Sequence, residues 1–429
     1  MKRRFFAFIT VCMAVLLASF TGCYSPQENA PSVPTAPTQA AQTESGSGAE
    51  EPVEIKTYPL PEENVRANII YAPSPSTGGF WTFAVFNASS IQAYDPVTRT
   101  SYIPCYQAGC KHNDESCTAY FGKEITALAE YRGNFYAMIC YNDDTASALV
   151  TRPLSGGPLQ TLASWEPENE NEACRCALRC VSFGKAYVIA NRETYALTED
   201  GQLTTAAQES SLVSVDLQTG EISTILENCD NYDLYGVWED IAVLRVLEMA
   251  EDAPEFEDWL AQQPEGTSWD EYDRQFVRYR FLTRNLQTGE ESVLVDATEN
   301  FVMTVDPHRS WGQYAVYQVD RSLYVYDLEK QAAKKLFTYE QNWDYYNYMI
   351  LDGHVIAVCG TENSCRVRAI NIADGTVTEL TTLSGRGMAF SIEYECNGYF
   401  VGLMDSDEVA QYYISKEDFY RSNYDAAFR

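Results

Sequence analysis

The chain has 429 residues, 45% of them hydrophobic, enough for a large core in one repeat domain or two ordinary ones. Its formal net charge is −31, from 61 acidic and 30 basic side chains. A polyanion of that size is repelled by nucleic acid and by anionic lipid head groups, so both are poor partners for its surface and no nucleic-acid partner is expected.

Residues 1–22 read as a targeting segment. Met1-Lys-Arg-Arg4 is a basic start, and Phe5–Phe20 is an apolar run too short and wrongly flanked for a stable membrane span. Phe20-Thr-Gly-Cys23 then resembles the lipobox of bacterial lipoproteins, with Phe20 in place of the usual Leu. On that resemblance Cys23 becomes the lipid-bearing N-terminus, and its acyl chains anchor the protein to the outer face of the bacterial cytoplasmic membrane. Residues 23–56 are rich in Pro, Ala, Thr, Ser and Glu, cannot bury a core, and are expected to form a disordered tether.

From 57 to 429, strand-like alternation dominates. The element that organises it is Asp216-Leu-Gln-Thr-Gly220 between the apolar runs Leu212–Val215 and Ile222–Leu226. An Asp opening a turn accepts backbone N–H groups two and three residues on, and Gly220 supplies the positive φ that closes a bulged hairpin. The device returns as Asn285-Leu-Gln-Thr-Gly289, and in worn form at Asp95–Thr98, Leu154–Gly157, Asp327–Lys330, Asn371–Gly375 and Ser415–Asp418. The late turns, starting at 285, 327, 371 and 416, are 42, 44 and 45 residues apart, the length of one four-stranded propeller blade. The expected fold is therefore all-β: a β-propeller of seven four-stranded blades, with six or eight blades, or a pair of β-sandwiches, as the alternatives.

An insertion at 248–279 departs from this pattern. Phe256, Trp259 and Leu260, then Trp269, Tyr272 and Phe276, follow helical spacing, and Asp252–Glu255 and Ser268–Glu271 have the form of capping boxes. Ten acids and no base fall between Glu248 and Asp273. Two short acidic helices laid on the propeller by their aromatic faces are predicted.

The sharpest chemical motif is Cys105-x4-Cys110-x-His112-x4-Cys117. Three thiols and an imidazole in thirteen residues suit a tetrahedral zinc ion, although the spacing is not a usual zinc-finger one. Outside the cytoplasm, two of the three cysteines more naturally form a disulfide and leave one thiol, and a reactive or redox thiol is the third reading. No other cofactor is expected. Without Cys12 and Cys23, eleven cysteines remain, an odd number. Cys174, Cys176 and Cys180 form a second group, and Cys359 and Cys365 flank a loop that a disulfide could staple.

With these residues on the page, the chain resembles uncharacterised Gram-positive lipoproteins: a lipobox, a Pro/Ser/Thr tether, and a propeller of TolB-like or low-density-lipoprotein-receptor-related type. In architecture the resemblance covers the whole chain, in motif only residues 103–120 and the turn repeats. It implies fold and placement and carries no catalytic residues. The Asp-x-x-Thr-Gly turns are also similar to those of quinoprotein propellers. The Trp that follows in those repeats is missing here, which argues against a quinone.

No His-Glu-x-x-His, Gly-x-Ser-x-Gly or phosphate-cradling loop occurs, and the chain has three histidines, His112, His308 and His354. No catalytic residue is assigned. Trp343, Tyr345, Tyr346 and Tyr348 sit where the chain is expected to cross between blades, and would suit stacking on sugar rings. The reading favoured is a binding or scaffold module for a protein or glycan. The alternatives are a carboxylate-dependent hydrolase or lyase on a polysaccharide or peptide, and metal or redox sensing through the Cys/His segment.

Overall fold

The alternation of apolar and polar side chains along the sequence is realised as a succession of antiparallel meanders. The structure, a computed structural model, describes residues 64–66, 68–69, 80–82, 90–95, 98, 100–105, 107–141, 145–198, 203–263, 267, 269–298, 313–319, 321–338, 344–361, 364–384, 391–396, 398–403 and 411–427. The chain divides into Met1–Ile55 and Lys56–Arg429. The leader, Cys23 and the tether of residues 23–56 lie outside the described residues. No described helix is long and apolar enough to cross a membrane.

Among the described residues, seven antiparallel sheets follow one another in chain order, over residues 80–102, 124–165, 172–227, 232–298, 314–338, 344–384 and 391–415. Those at 80–102, 314–338 and 391–415 show three strands among the described residues, and the others carry the four-strand meander. Two sheets gain a fifth strand from the start of the domain. Asn64–Arg66 pairs with Glu172–Ser182, and Asn68–Ile69 pairs with Glu124–Tyr131, so these two short strands cover the open edges of two first strands.

The core lies between sheets. Ile91, Phe121, Ile125 and Val150 join the first sheet to the second; Tyr131, Met138, Leu178 and Val213 join the second to the third. Leu212, Leu234 and Leu282 continue the series, as do Phe281 and Tyr317, then Leu323 and Ile370. Each of the four sheets from 124–165 to 314–338 contributes buried residues to a cluster on both sides, which is how a β-propeller makes a core from units that have none alone.

The repeated turns have the predicted chemistry. Asp216 Oδ1 accepts the N–H groups of Gln218 (2.9 Å) and Thr219 (2.8 Å), and Gly220, at φ 74°, donates its N–H to the Asp216 carbonyl at 2.8 Å. Asn285 repeats this with Gln287 and Thr288, Asn371 with Ala373 and Asp374, and Asp327 with Glu329 and Lys330. In the Asp327 copy Gln331, at φ 49°, occupies the left-handed place that Gly holds elsewhere.

A second turn, not singled out in the sequence, completes the unit. Arg132-Gly133, Phe183-Gly184 and Asp352-Gly353 have positive φ at both residues, the type I′ form that matches strand twist. The residue after each turn-opening Asp or Asn donates back to this earlier turn: Leu217 to the Gly184 carbonyl and Ile372 to the Gly353 carbonyl, both at 3.0 Å.

The other predicted elements compare as follows with those observed. Ser415–Asp418 is a helix start rather than a hairpin: Ser415 Oγ accepts the Asp418 N–H at 3.0 Å and caps the helix Lys416–Tyr420. Phe419 is fully buried against Phe400, and that packing favours the helix. The insertion is helical over Phe256–Leu260 and Trp269–Phe276, and connects the strands Ile241–Met249 and Val277–Asn285. Phe256, Trp259, Tyr272 and Phe276 pack on one another, with the Tyr272 hydroxyl donating to the Pro254 carbonyl, so the insertion has its own small core. The first helix begins at Phe256, too late for Asp252 to cap it, and Ser268 lies outside the described residues. Lastly, residues 344–351 are a strand of the sixth sheet and not a crossing between sheets.

Candidate metal centre

After the strand Thr100–Tyr102 the chain leaves the first sheet and enters the second at Glu124. The connection is held in tight turns. Gly109 (φ 74°) and His112 (φ 59°) are left-handed, the Cys110 N–H reaches the Gln107 carbonyl at 3.3 Å, and the Cys117 N–H reaches the Asp114 carbonyl at 3.0 Å. Thr118 Oγ1 donates to the Pro104 carbonyl at 3.4 Å and ties the two ends of the loop together.

These turns bring the predicted quartet to one point. The ligand atoms of Cys105, Cys110, His112 and Cys117 all lie within 4.8 Å of one another. His112 Nδ1 is 3.4 Å from Cys117 Sγ, and the His112 backbone N–H donates to Cys110 Sγ at 3.4 Å. Around a tetrahedral zinc with Zn–S bonds of about 2.3 Å, sulfurs stand about 3.8 Å apart, so the cluster needs only a small contraction to bind. Cys117 is fully buried, and the other three are half-buried.

No disulfide joins any two of the eight cysteines whose side chains are described. Three sulfurs and an imidazole converge together, a geometry in which a bridge between two thiols leaves the third and the ring facing the same point. The proton affinities are split across the cluster. Burial raises the Cys105 thiol, but N–H groups of Gln107 and Thr118, the Thr118 hydroxyl and Cys110 outweigh it and bring it to about 6. Burial, reinforced by the neighbouring Cys105 and Cys110, pushes Cys117 up to about 12. The arrangement can therefore present one thiolate to an arriving soft cation and gain the others by displacing protons.

Arg152 was not found by sequence reasoning. It sits on the strand Ala146–Pro153 of the second sheet and is 1% exposed. Its Nη1 donates to the carbonyls of Cys117 (2.5 Å) and Tyr120 (2.7 Å), its Nη2 to that of Glu115 (3.4 Å), and its guanidinium lies 5.6 Å from the centre of the Phe121 ring. The signal was available: a charged residue in step with Ala146, Ala148 and Val150 on the strand Ala146–Pro153.

The other cysteines are structural. Cys174, Cys176 and Cys180 lie on the strand Glu172–Ser182, where a bulge between Leu178 and Cys180 changes the face. Cys176 then joins the interface with the second sheet, and Cys180, with Cys229, the interface with the fourth. Burial pushes Cys229 up to about 11 and Cys176 higher still, so both behave as small apolar residues. Cys359 is opposite Arg366 and Cys365 opposite Gly360, an offset of one residue that is out of register for the predicted staple.

Of the aromatic run, Trp343 lies outside the described residues. Tyr345, Tyr346 and Tyr348 fall on the strand Asp344–Leu351, the first of its sheet, with a bulge between Tyr345 and Asn347. The buried carboxylates among the described residues, Glu193 and Asp327, are both engaged. Glu193 accepts from Arg175 at 3.0 Å and from the Tyr195 hydroxyl; Asp327 accepts from Lys330 at 2.7 Å and from Gln313 at 3.0 Å.

No protein-family model matches this chain, and no curated protein matches it either. Solved structures do. An oligogalacturonate lyase in complex with manganese is 14% identical over 67% of this chain and 72% of its own, with a TM-score of 0.39. The β-propeller domain of the Trilobed protease from Pyrococcus furiosus is 11% identical over 82% and 92%, with a TM-score of 0.42. TolB from Acinetobacter baumannii is 10% identical over 77% and 74%, with a TM-score of 0.32. At these levels the likeness bears on neither ligand nor reaction, and the fold rests on the sheets themselves.

Proposed function

We propose that this chain is a lipid-anchored, extracytoplasmic β-propeller that serves as a binding or scaffold module for a protein or glycan, braced by a structural metal at the Cys/His quartet. The observation that supports it is the completeness of the quartet: it offers four ligands to one point, the number a structural zinc takes, whereas a catalytic zinc keeps a position open for water or substrate. The engagement of Glu193 and Asp327 by basic and hydroxyl partners also suits a structural role better than acid–base work. In this reading the lipid on Cys23 and the tether of residues 23–56 present the sheets at the outer face of the membrane.

The experiment is a panel of soluble polysaccharides and peptides offered to the purified protein, scored for binding and for product. Saturable binding without product is expected. Product whose formation is lost on Glu193→Gln would replace this reading with the hydrolase or lyase one. For the anchor, Cys23→Ser should move the protein from the membrane fraction to the medium, and unchanged membrane retention would remove the lipid from the account.

A further inference from the structure

We infer that the quartet binds one zinc ion as a trithiolate–imidazole complex carrying one net negative charge, and that Arg152 is its built-in counter-ion. The inference rests on the metal reading proposed above and adds the charge state of the complex and the residue that matches it.

The starting point is a buried cation that makes no ion pair among the described residues; the exposed Glu115 carboxylate acts on it only from a distance. Arg152 is 1% exposed, and its hydrogen bonds all go to carbonyl oxygens, those of Cys117, Tyr120 and Glu115. Among the described residues no carboxylate lies within 4.0 Å of it. The comparison within this chain is Arg368, 2% exposed, whose Nε meets Glu379 at 2.7 Å. A buried guanidinium costs several kcal/mol in desolvation unless an opposite charge is near. Carbonyl dipoles offset part of that cost and supply no net charge.

The missing charge is in the loop that Arg152 grips. Three thiolates and a neutral imidazole around a divalent ion sum to one negative charge, equal and opposite to the guanidinium. A two-thiolate, two-imidazole complex would be neutral and would leave Arg152 only the distant, exposed Glu115 carboxylate. The three-to-one donor set and the buried arginine therefore explain each other. Loading is a ligand exchange with no redox step: zinc gives up water, the thiols still protonated release their protons to solvent, and three Zn–S bonds and one Zn–N bond form. Arg152 touches no ligand atom, so it is a positioning and charge-compensating residue.

The test uses the full chain freed of metal by chelator and titrated with zinc against a chromophoric chelator, with cobalt as a spectroscopic probe. The wild type is expected to take one ion, and its cobalt form to show thiolate-to-cobalt charge transfer with the intense visible bands of a tetrahedral site. Arg152→Lys keeps the charge and loses the forked hydrogen bonds; its zinc affinity should stay within about threefold of the wild type. Arg152→Gln keeps hydrogen bonding and loses the charge; its affinity should fall about 10- to 100-fold, the range seen when outer-shell partners of a metal are removed. Urea unfolding of each metal-free variant reports whether it folds. If Arg152→Gln does not fold, Arg152→Lys decides alone: affinity within about threefold supports the inference, and a loss of about tenfold or more overturns it. A Gln variant that binds like wild type, or Lys and Gln variants that lose equally, overturns the counter-ion and leaves the metal reading standing. A wild type that binds neither zinc nor cobalt overturns both.

Discussion

Gly220→Ala isolates what the repeated turn asks of its glycine. Two costs combine at this position. The backbone is left-handed at φ 74°, a region that costs an L-residue about 1–2 kcal/mol. A Cβ there would also stand 2.5 Å from the Leu162 carbonyl oxygen, on the outer strand of the preceding sheet. Backbone on a packed strand cannot turn aside as a side chain can, so relief requires the two sheets to part, at about 1–3 kcal/mol. The sum is about 2–5 kcal/mol. Gly289→Ala supplies the control: φ is 73°, but the nearest atom to its Cβ is Arg284 Nη2 at 3.4 Å, the end of a flexible side chain. It should lose only the conformational part. Gln331→Gly runs the series backwards, since Gln331 already bears a φ of 49° with a side chain in place, and should gain about 0.5–1 kcal/mol. Urea unfolding followed by tryptophan fluorescence reads all three. Equal losses for Gly220→Ala and Gly289→Ala would refute the reasoning, because turn conformation alone would then account for both and the contact with Leu162 would carry no weight.

Zinc at a hundredfold excess over its dissociation constant should raise stability by about 2.7 kcal/mol, and chelator should remove that gain; a urea midpoint indifferent to both would exclude the brace. The N–H groups of Thr219 and Gln218 hold the Asp216 carboxyl below its ordinary range. Its contribution is thus present above an unfolded value of about 4 and lost as pH falls through the lower folded value. Asp216→Asn, the residue that the turns at 285 and 371 already use, should change little at pH 7 and flatten the acid limb of a stability–pH curve. Tyr272→Ala, at a position fully buried within the insertion's aromatic cluster, should cost that cluster about 3–5 kcal/mol and admit protease between residues 250 and 276 while the sheets stay folded. Cleavage spread evenly over the domain would show instead that the insertion and the sheets unfold as one.

The turn chemistry of Asp216–Gly220 and its copies is local, so the sequence by itself determined the hairpins, their spacing and, from these, an all-β repeat fold. The four candidate metal ligands were legible for the same reason, lying in thirteen consecutive residues. What those residues do together was not legible. Whether three thiols bridge in pairs or meet around a point depends on where the loop's turns place each sulfur, and only the tertiary structure brings Cys105, Cys110, His112 and Cys117 to one place. The same limit hid Arg152, 35 residues from Cys117 in the chain, whose role exists only once the second sheet packs against the loop that follows the first. It also misplaced Ser415: a Ser-x-x-Asp sequence opens a turn or a helix equally well, and the burial of Phe419 against Phe400 favours the helix. Local hydrogen bonding sets the unit, and long-range packing decides which side chains share a site.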